Sequence, residues 1–275
     1  MGRGLTDRVI VITGASSGIG KATALACANA GMDVVISARR ADRLGEVGEL
    51  VRRCGRSALA VIGDVTDAGM SSQLLDAAQE RFGRCDAVFA NAGYGLERSV
   101  VALGDDELRR IFEVNFFAAH DLLQHAARRM LVDRRGGHLL MCSSCVGKFT
   151  LPYHAAYSAT KAAQSHFCRA MRLELAPHGI EVSCVHPITT STEFWEAMAD
   201  QSGQAGSSPA LLRSTPRPFV QSSGKVARAI VRCLRRPRAE VWTSRSMRMA
   251  AGLFTMFPSF MDFALRGRAR RHAKR

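Results

Sequence analysis

The segment Val9-Ile-Val-Ile-Thr-Gly-Ala-Ser-Ser-Gly-Ile-Gly20 decides the fold. Its first four residues are apolar and β-branched, which favours a buried strand. The glycines that follow let the backbone turn tightly and approach a ligand closely, and a helix N-terminus after them attracts phosphate. A glycine-rich run alone can be an ordinary turn. In this order of strand, turn and helix, it predicts a dinucleotide-binding site.

The alternation of strand and helix continues beyond this segment. Further strand-like runs are Asp33–Ser37, Ala58–Ile62, Ala87–Ala90, His138–Cys142 and Glu181–Val185. Helix-like stretches between them include Lys21–Gly31, Met70–Gly83 and Asp105–Val132. Repeated strand-helix units build a parallel sheet covered on both faces. The sequence therefore predicts an α/β fold with a doubly wound parallel sheet.

The chain has 275 residues, of which 47% are hydrophobic, enough for one large domain with a buried core. We expect a single domain over 1–275, with a nucleotide-binding core at 7–190, a substrate lid at 191–224, and C-terminal helices with a basic tail at 225–275. No apolar stretch is long enough to span a bilayer, and the N-terminus lacks a signal-peptide pattern. A cytoplasmic protein is expected.

The cysteines and histidines give no sign of a disulfide framework or a metal site. The eight cysteines are scattered through predicted strands and helices, so we expect reduced thiols. Cys142-Ser-Ser-Cys145 has the spacing of a redox motif, but it follows the fifth strand instead of opening a first helix. The eight histidines show no paired ligand spacing. No metal is expected.

The spacing Gly14-x-x-x-Gly18-x-Gly20 resembles that of the short-chain dehydrogenase/reductase family. The resemblance continues with the pair Asp64-Val65, the turn Asn91-Ala-Gly93, and Asn115. It implies a Rossmann-type fold, an oxidoreductase that uses a nicotinamide dinucleotide on an alcohol or carbonyl group, and a homodimer or homotetramer. The implied catalytic residues are Asn115, Ser144, Tyr157 and Lys161. The implied cofactor-binding residues are Gly14, Ser16, Ser17, Gly18, Ile19, Gly20, Arg39, Arg40, Asp64, Val65, Asn91, Ala92, Gly93, Tyr157, Lys161, Pro187 and Thr192.

The chemistry of Tyr157, Lys161 and Ser144 fits this role. Tyr157 and Lys161 are one helical turn apart, so their side chains project from the same face. A nearby ammonium and an oxidised nicotinamide both favour the phenolate of a tyrosine whose pKa is ordinarily about 10. Ser144 is placed to hold the substrate oxygen, and Asn115, by resemblance, holds a water that connects Lys161 to solvent. Tyr153 and Ser143 are nearby alternatives, but neither has the family's interval.

The end of the second strand predicts the choice of cofactor. An acidic residue there would bind the adenosine ribose and repel a 2′-phosphate. Ala38 takes that place, and Arg39 and Arg40 follow, whose guanidinium groups can grip a phosphate. NADP(H) is therefore expected over NAD(H). Ser17 stands where some NADP-using relatives have a second basic residue, so Arg39 is expected to carry most of the preference.

The segment His186–Phe194 resembles the family's Pro-Gly-x-x-x-Thr segment beside the nicotinamide. Pro187 and Thr192 match the family's proline and threonine. Ile188 replaces the expected glycine, and a β-branched residue cannot adopt positive φ cheaply. We therefore expect a different backbone path there.

The substrate is expected to be hydrophobic, because the segment 194–219 carries apolar side chains that suit a lid. These are Phe194, Trp195, Met198, Leu211 and Leu212. The alternative is that they are ordinary core residues of a short helix.

The C-terminus combines apolar and basic residues. All of the net charge of +14 lies in residues 205–275, and the apolar stretch Met249–Leu265 precedes the basic run Arg266–Arg275. This pattern suits peripheral contact with an anionic membrane. The alternatives are a buried helix, an oligomer contact or a solvated tail.

A non-catalytic module that senses cofactor or binds nucleic acid or membrane is an alternative function for the whole protein. The intact catalytic set argues against it, and no nucleic acid is expected.

Overall fold

The computed structural model describes residues 2–203 and 220–272, and the side chains of all of these except Asp200 and 268–272. Within these ranges, seven strands form one parallel sheet: β1 (Val9–Thr13), β2 (Asp33–Ala38), β3 (Ala58–Ile62), β4 (Ala87–Ala90), β5 (Gly137–Cys142), β6 (Ile180–His186) and β9 (Glu240–Trp242). Their order across the sheet is β3-β2-β1-β4-β5-β6-β9. A separate parallel pair is formed by β7 (Thr190–Ser191) and β8 (Gln221–Ser222).

Helices cover both faces of this sheet. They are α1 (Gly18–Asn29), α2 (Ala41–Arg53), α3 (Met70–Phe82), α4 (Asp105–Phe112), α5 (Ala118–Asp133), α6 (Ala155–Leu175), α7 (Phe194–Gln201), α8 (Ser223–Arg235), α9 (Arg245–Met256) and α10 (Pro258–His272). Alternate residues of a strand point to opposite faces, so β1 supplies both cores. Ile10 and Ile12 pack against α1, α2 and α8. Val9 and Val11 pack against α3, α5 and α6.

The predicted doubly wound parallel sheet is confirmed, and all six predicted strands are present. The strand β9 was not predicted, because three residues between basic and proline-containing segments are too short to show a period of two. The helix-like stretch Asp105–Val132 is not one helix. A π-helical turn at Glu113–Phe117 separates α4 from α5 and carries Asn115.

The predicted lid and tail are described only in part. Of the lid, the structure describes β7, α7 and β8, whereas Leu211, Leu212 and most of the polar run 200–209 lie outside the described residues. Of the basic run, the side chains after Gly267 lie outside the described set. Among the helices in the described ranges, none has the length and hydropathy that crossing a membrane requires.

Candidate active site

The glycine turn between β1 and α1 leaves no room for side chains. Gly14 and Gly18 have φ of +64° and +55°, in the region that disfavours other residues. A Cβ on Gly14 would lie 2.9 Å from Ala92 Cα, and one on Gly20 would lie 2.8 Å from Asn91 Nδ2. The first N–H groups of α1 have no partner inside the helix. The turn, with Ser16, Ser17 and Ile19, therefore fits the pyrophosphate of a dinucleotide.

Hydrogen bonds from the turn after β4 hold the glycine turn in place. Asn91 Nδ2 donates to the carbonyls of Thr13 (3.0 Å) and Gly14 (3.3 Å), and the amides of Asn91 and Ala92 donate to Thr13 Oγ1 at 3.1 and 3.2 Å. Asn91 therefore ties β4 to β1. Gly93 has to be small because a Cβ there would lie 2.9 Å from Asn115 Oδ1.

The residues after β2 and β3 form a charged rim. Arg39 is 75% exposed in its side chain and lies 3.6 Å from Asp64. Burial raises the pKa of Asp64, but hydrogen bonds from Thr66 and the charge of Arg39 outweigh it, so that pKa is lowered. Val65 lines a small cleft with Thr13 and Ala92.

Arg40 points across the rim in another direction from Arg39. Its Nη2 donates to Ser16 Oγ at 3.1 Å, and its Nη1 donates to Glu193 Oε2 at 2.9 Å. Arg40 therefore connects the glycine turn to the residue that follows Thr192.

Ser144, Tyr157 and Lys161 converge at the ends of β5 and α6. Lys161 is 4% exposed, its Nζ donates to Cys142 O at 2.7 Å, and it lies 5.6 Å from the centre of the Tyr157 ring. The Ser144 hydroxyl is a polar neighbour of Tyr157 and favours its charged form. Ser143 instead donates to Lys161 O at 2.7 Å, so this neighbouring serine holds the helix and not the site.

The protonation of the pair follows from its burial. Burial raises the pKa of Tyr157 above its ordinary value, and the neighbouring Ser144 hydroxyl opposes that shift. Burial lowers the pKa of Lys161. In the protein by itself Tyr157 is therefore a phenol at neutral pH. That is the state that can donate a proton.

The Asn115 side chain hydrogen-bonds to the loop after β4 and to α6. Its Oδ1 accepts from the Tyr94 amide at 2.9 Å, and its Nδ2 donates to Tyr94 O at 2.9 Å and to Thr160 Oγ1 at 3.2 Å. The Gln164 side chain donates to the Asn115 carbonyl. π-Helical turns occur frequently at functional sites. Here the turn places Asn115 between the β4 loop and the helix that carries Tyr157.

Thr192 packs closely against the glycine turn. A Cβ on Gly18 would lie 3.2 Å from the Thr192 methyl group. The Pro187 carbonyl accepts from the Cys145 amide at 3.0 Å, which joins the segment after β6 to that after β5. The structure thus brings the predicted cofactor and catalytic residues to one edge of the sheet, where the strands end at their carboxyl side.

Comparison with known proteins places this geometry in a family. The model of the short chain dehydrogenase family matches residues 8–203. The chain belongs to the short-chain dehydrogenase/reductase family. It is therefore an oxidoreductase of the kind that acts on alcohol and carbonyl groups.

The relatives that the chain resembles differ in their named reactions. It is 34% identical over 227 residues to an A-factor type gamma-butyrolactone 1′-reductase (1S-forming) of Streptomyces virginiae, covering 82% of this chain and 87% of the relative. It is 32% identical over 200 residues to an L-rhamnose 1-dehydrogenase (NAD(P)(+)) of a Sphingomonas species, covering 72% and 78%. A crystal structure of a short-chain type dehydrogenase/reductase from Mycobacterium marinum superposes with a TM-score of 0.75 at 32% identity, covering 84% and 89%.

The backbone of Ile188 does not adopt positive φ. Among the described residues other than glycine, those with positive φ are Asp7, Arg134 and Tyr153. The Ile188 side chain is 6% exposed and packs in an apolar cluster with Cys145, Val146 and Tyr157. Where the family has a glycine, this short-chain dehydrogenase/reductase therefore has a buried apolar side chain, in the same cluster against which Tyr157 packs.

The thiols near the site are buried. Burial raises the pKa of both Cys142 and Cys145 to about 11, the reverse of the shift that activates redox cysteines. Within the described ranges, no group of three or more His, Cys, Asp or Glu side chains could hold a metal ion.

The sequence did not predict three of the polar residues that hold the site. Thr160 donates to Tyr157 O at 2.8 Å and accepts from Asn115, and Gln164 donates to Asn115. Both lie on the face of α6 that carries Tyr157 and Lys161, so polar residues at helical spacing were the available signal. Glu193 had no comparable signal, because its partners precede it by about 150 positions.

Proposed function

We propose that this oxidoreductase transfers a hydride between NADP(H) and a carbonyl or secondary alcohol substrate, with Tyr157 as its acid/base. The convergence of Ser144, Tyr157 and Lys161 supports the proposal most strongly: Lys161 is buried, and Ser144 and Tyr157 are partly exposed. A non-catalytic module would not require these groups together.

The chain's own residues divide the work of proton transfer. Bound nicotinamide supplies or accepts the hydride. Tyr157 Oη gives a proton to the substrate oxygen during reduction and takes it back during oxidation. Ser144 Oγ hydrogen-bonds the same oxygen and stabilises the charge that develops there. Lys161 favours the phenolate by its charge, and Asn115 positions α6 and connects the site with solvent through water.

NADP(H) is proposed over NAD(H) because no carboxylate ends β2. Arg39 is largely exposed and only loosely paired with Asp64, so its guanidinium is available to a 2′-phosphate. The Sphingomonas relative is named for both dinucleotides. Kinetic comparison of NADPH with NADH therefore tests this part of the proposal separately.

A hydrophobic substrate is proposed from the side chains around Tyr157. The Phe194 ring lies 5.8 Å from the Tyr157 ring, and Ile188 and Val146 pack beside it.

We also propose a homodimer or homotetramer. Phe117, at the end of the π-helical turn, Val132 on α5 and Leu173 on α6 are exposed, and a second copy would cover them.

A second proposal concerns where that substrate is collected. The helices α9 and α10 expose six large apolar side chains, each at least 49% exposed: Met249, Leu253, Met256, Phe257, Phe260 and Phe263. Exposed Arg245, Arg248 and Arg266 accompany them, against Asp262. Apolar anchors among cationic groups suit an anionic bilayer surface, and we propose that the cytoplasmic enzyme docks there peripherally.

The opposite side of α9 reaches the active site. Phe254 packs on Phe149 with ring centres 5.3 Å apart, and Met247 packs on the apolar cluster that contains Ile188 and contacts Tyr157. Docking through α9 would therefore bring the reacting end of the protein close to the lipid that dissolves its substrate.

Liposome cosedimentation tests the docking surface. The double variant Phe260→Ser/Phe263→Ser is expected to lose binding to vesicles rich in anionic lipid. The control Val100→Ser/Val101→Ser changes two exposed valines elsewhere and should bind normally. Binding that is unchanged in the phenylalanine variant, or after removal of residues 249–275, would refute the proposal.

An activity screen tests the reaction. NADPH consumption is measured with a panel of aldehydes, ketones and hydrophobic alcohols, the alcohols with NADP⁺. We expect turnover with apolar carbonyl compounds. Absence of turnover with every class, together with normal cofactor binding, would favour the non-catalytic alternative.

A further inference from the structure

The carboxylate of Glu193 lies inside the cationic end of the proposed cofactor site. Its Oε2 accepts from Arg40 Nη1 at 2.9 Å, and its Oε1 lies 3.4 Å from Arg43 Nη1. The hydrogen bond from Arg40 lowers the pKa of Glu193, so the group is an anion at neutral pH. The neighbouring Ser17 hydroxyl also lowers the pKa of this carboxylate.

These partners are the groups that a cofactor phosphate would need. Ser17 is part of the glycine turn, and Arg40 follows the end of β2, where the adenosine ribose of a dinucleotide lies. Arg40 also donates its second arm, Nη2, to Ser16 Oγ at 3.1 Å. Both arms of the guanidinium are therefore engaged, and a phosphate that grips Arg40 with two hydrogen bonds has to displace Glu193 or share the arginine with it.

We propose that Glu193 is a specificity-determining residue, an internal anion that competes with the 2′-phosphate of NADP(H) for Arg40 and Arg43. The inference rests on the proposed dinucleotide site. A phosphate monoester carries about −1.5 to −2 charges at neutral pH, so a fixed carboxylate beside it repels it strongly. The ribose hydroxyl of NAD(H) carries no charge and does not compete. Glu193 thus weakens the preference for NADP(H) over NAD(H) that Arg39 and Arg40 create.

The size of the effect follows from the exposure of the ion pairs. The side chains of Glu193, Arg40 and Arg43 are 38%, 45% and 44% exposed, so each pair is solvent-screened. Removal of the Glu193 charge breaks both pairs and frees the two arginines for the phosphate. We expect it to tighten NADP⁺ binding by about two- to thirtyfold. The pyrophosphate near Ser17 is common to NADP⁺ and NAD⁺, so relief of its repulsion by Glu193 cancels in the ratio of the two affinities, and that ratio is expected to rise by this factor.

Isothermal titration calorimetry of the full chain with NADP⁺ and NAD⁺ measures this directly, without turnover. Glu193→Gln keeps the size of the side chain and removes its charge, and Glu193→Ala serves as a second variant. Glu196→Gln is the matched control, because Glu196 is an exposed carboxylate in the first turn of α7, three residues after Glu193. Circular dichroism melts establish that each variant is folded.

The expected result is a higher ratio of NADP⁺ to NAD⁺ affinity in both Glu193 variants and an unchanged ratio in the control. An unchanged or lower ratio in the Glu193 variants overturns the inference, as does an equal rise in the control. If the unmodified chain prefers NAD⁺, the NADP(H) proposal is wrong. The role of Glu193 still stands in that case if its removal raises the ratio.

Discussion

The substitution Thr160→Val separates the hydrogen bonds that Thr160 makes on α6 from its packing. Thr160 is completely buried, and its hydroxyl accepts from Asn115 Nδ2 at 3.2 Å and donates to Tyr157 O at 2.8 Å. Valine has nearly the same shape, so no cavity forms. The change removes both bonds and leaves an N–H of Asn115 buried without this partner.

The expected loss of stability comes from that N–H. Tyr157 O keeps its helical bond, and Asn115 Nδ2 keeps its bond to Tyr94 O at 2.9 Å. One lost bond to a buried amide costs about 1–3 kcal/mol of unfolding free energy. In a protein of this size, that lowers the Tm by roughly 2–5 °C.

Denaturant and thermal unfolding of matched variants make the assay. Thr23 is also completely buried, and among the described residues its hydroxyl has no hydrogen-bond partner. Thr23→Val is therefore expected to be neutral or stabilising. Thr160→Val should also slow hydride transfer, and Thr160→Ser should restore it. If Thr160→Val is as stable as Thr23→Val, the reasoning about this hydroxyl is wrong.

Three further predictions test other parts of the site. Arg39→Asp should reverse the preference in kcat/KM from NADPH to NADH, whereas Arg53→Asp, at an exposed position of α2, should not; a variant that still prefers NADPH would contradict this. Ile188→Ala should lower the unfolding free energy by about 2–5 kcal/mol and Ile62→Ala, at a residue that is 57% exposed, by less than about 1 kcal/mol; equal losses would contradict the packing of Ile188. Burial alone would raise the pKa of Glu240, but hydrogen bonds from Lys148 and Trp242 lower it from 4.5 to about 2. The ionised Glu240 side chain therefore stabilises the folded protein at pH values above the pKa of the unfolded state, and this stabilisation is lost as the pH falls through the pKa of the folded state. Urea unfolding should therefore show Glu240→Gln destabilised by about 1 kcal/mol at about pH 7 and less at about pH 3, and a constant difference would be inconsistent with the linkage.

The fold was predictable because each element carries its own pattern. The β-branched run of β1 and the glycines after it are local in the sequence, and the parallel sheet follows from repeating that unit. The strand β9 has only three residues and joins the sheet through pairing with β6. No local pattern marks so short a strand.

The site was predictable where the resemblance fixes an interval. Tyr157 and Lys161 are one turn apart, and the structure places them side by side. The bonds that hold them connect distant parts of the chain. Asn115 and Thr160 are 45 positions apart, and Arg40 and Glu193 are 153 apart. Such pairs depend on tertiary packing, which spacing along one helix or strand does not encode.

The most direct test of the central claim is single-turnover hydride transfer by Tyr157→Phe, with NADP⁺ affinity measured on the same preparation. The variant should bind NADP⁺ as the unmodified chain does and should lose at least about a hundredfold in hydride transfer, since a positioned acid/base contributes about that much or more. Hydride transfer that survives in Tyr157→Phe with normal cofactor affinity would show that another group carries the proton.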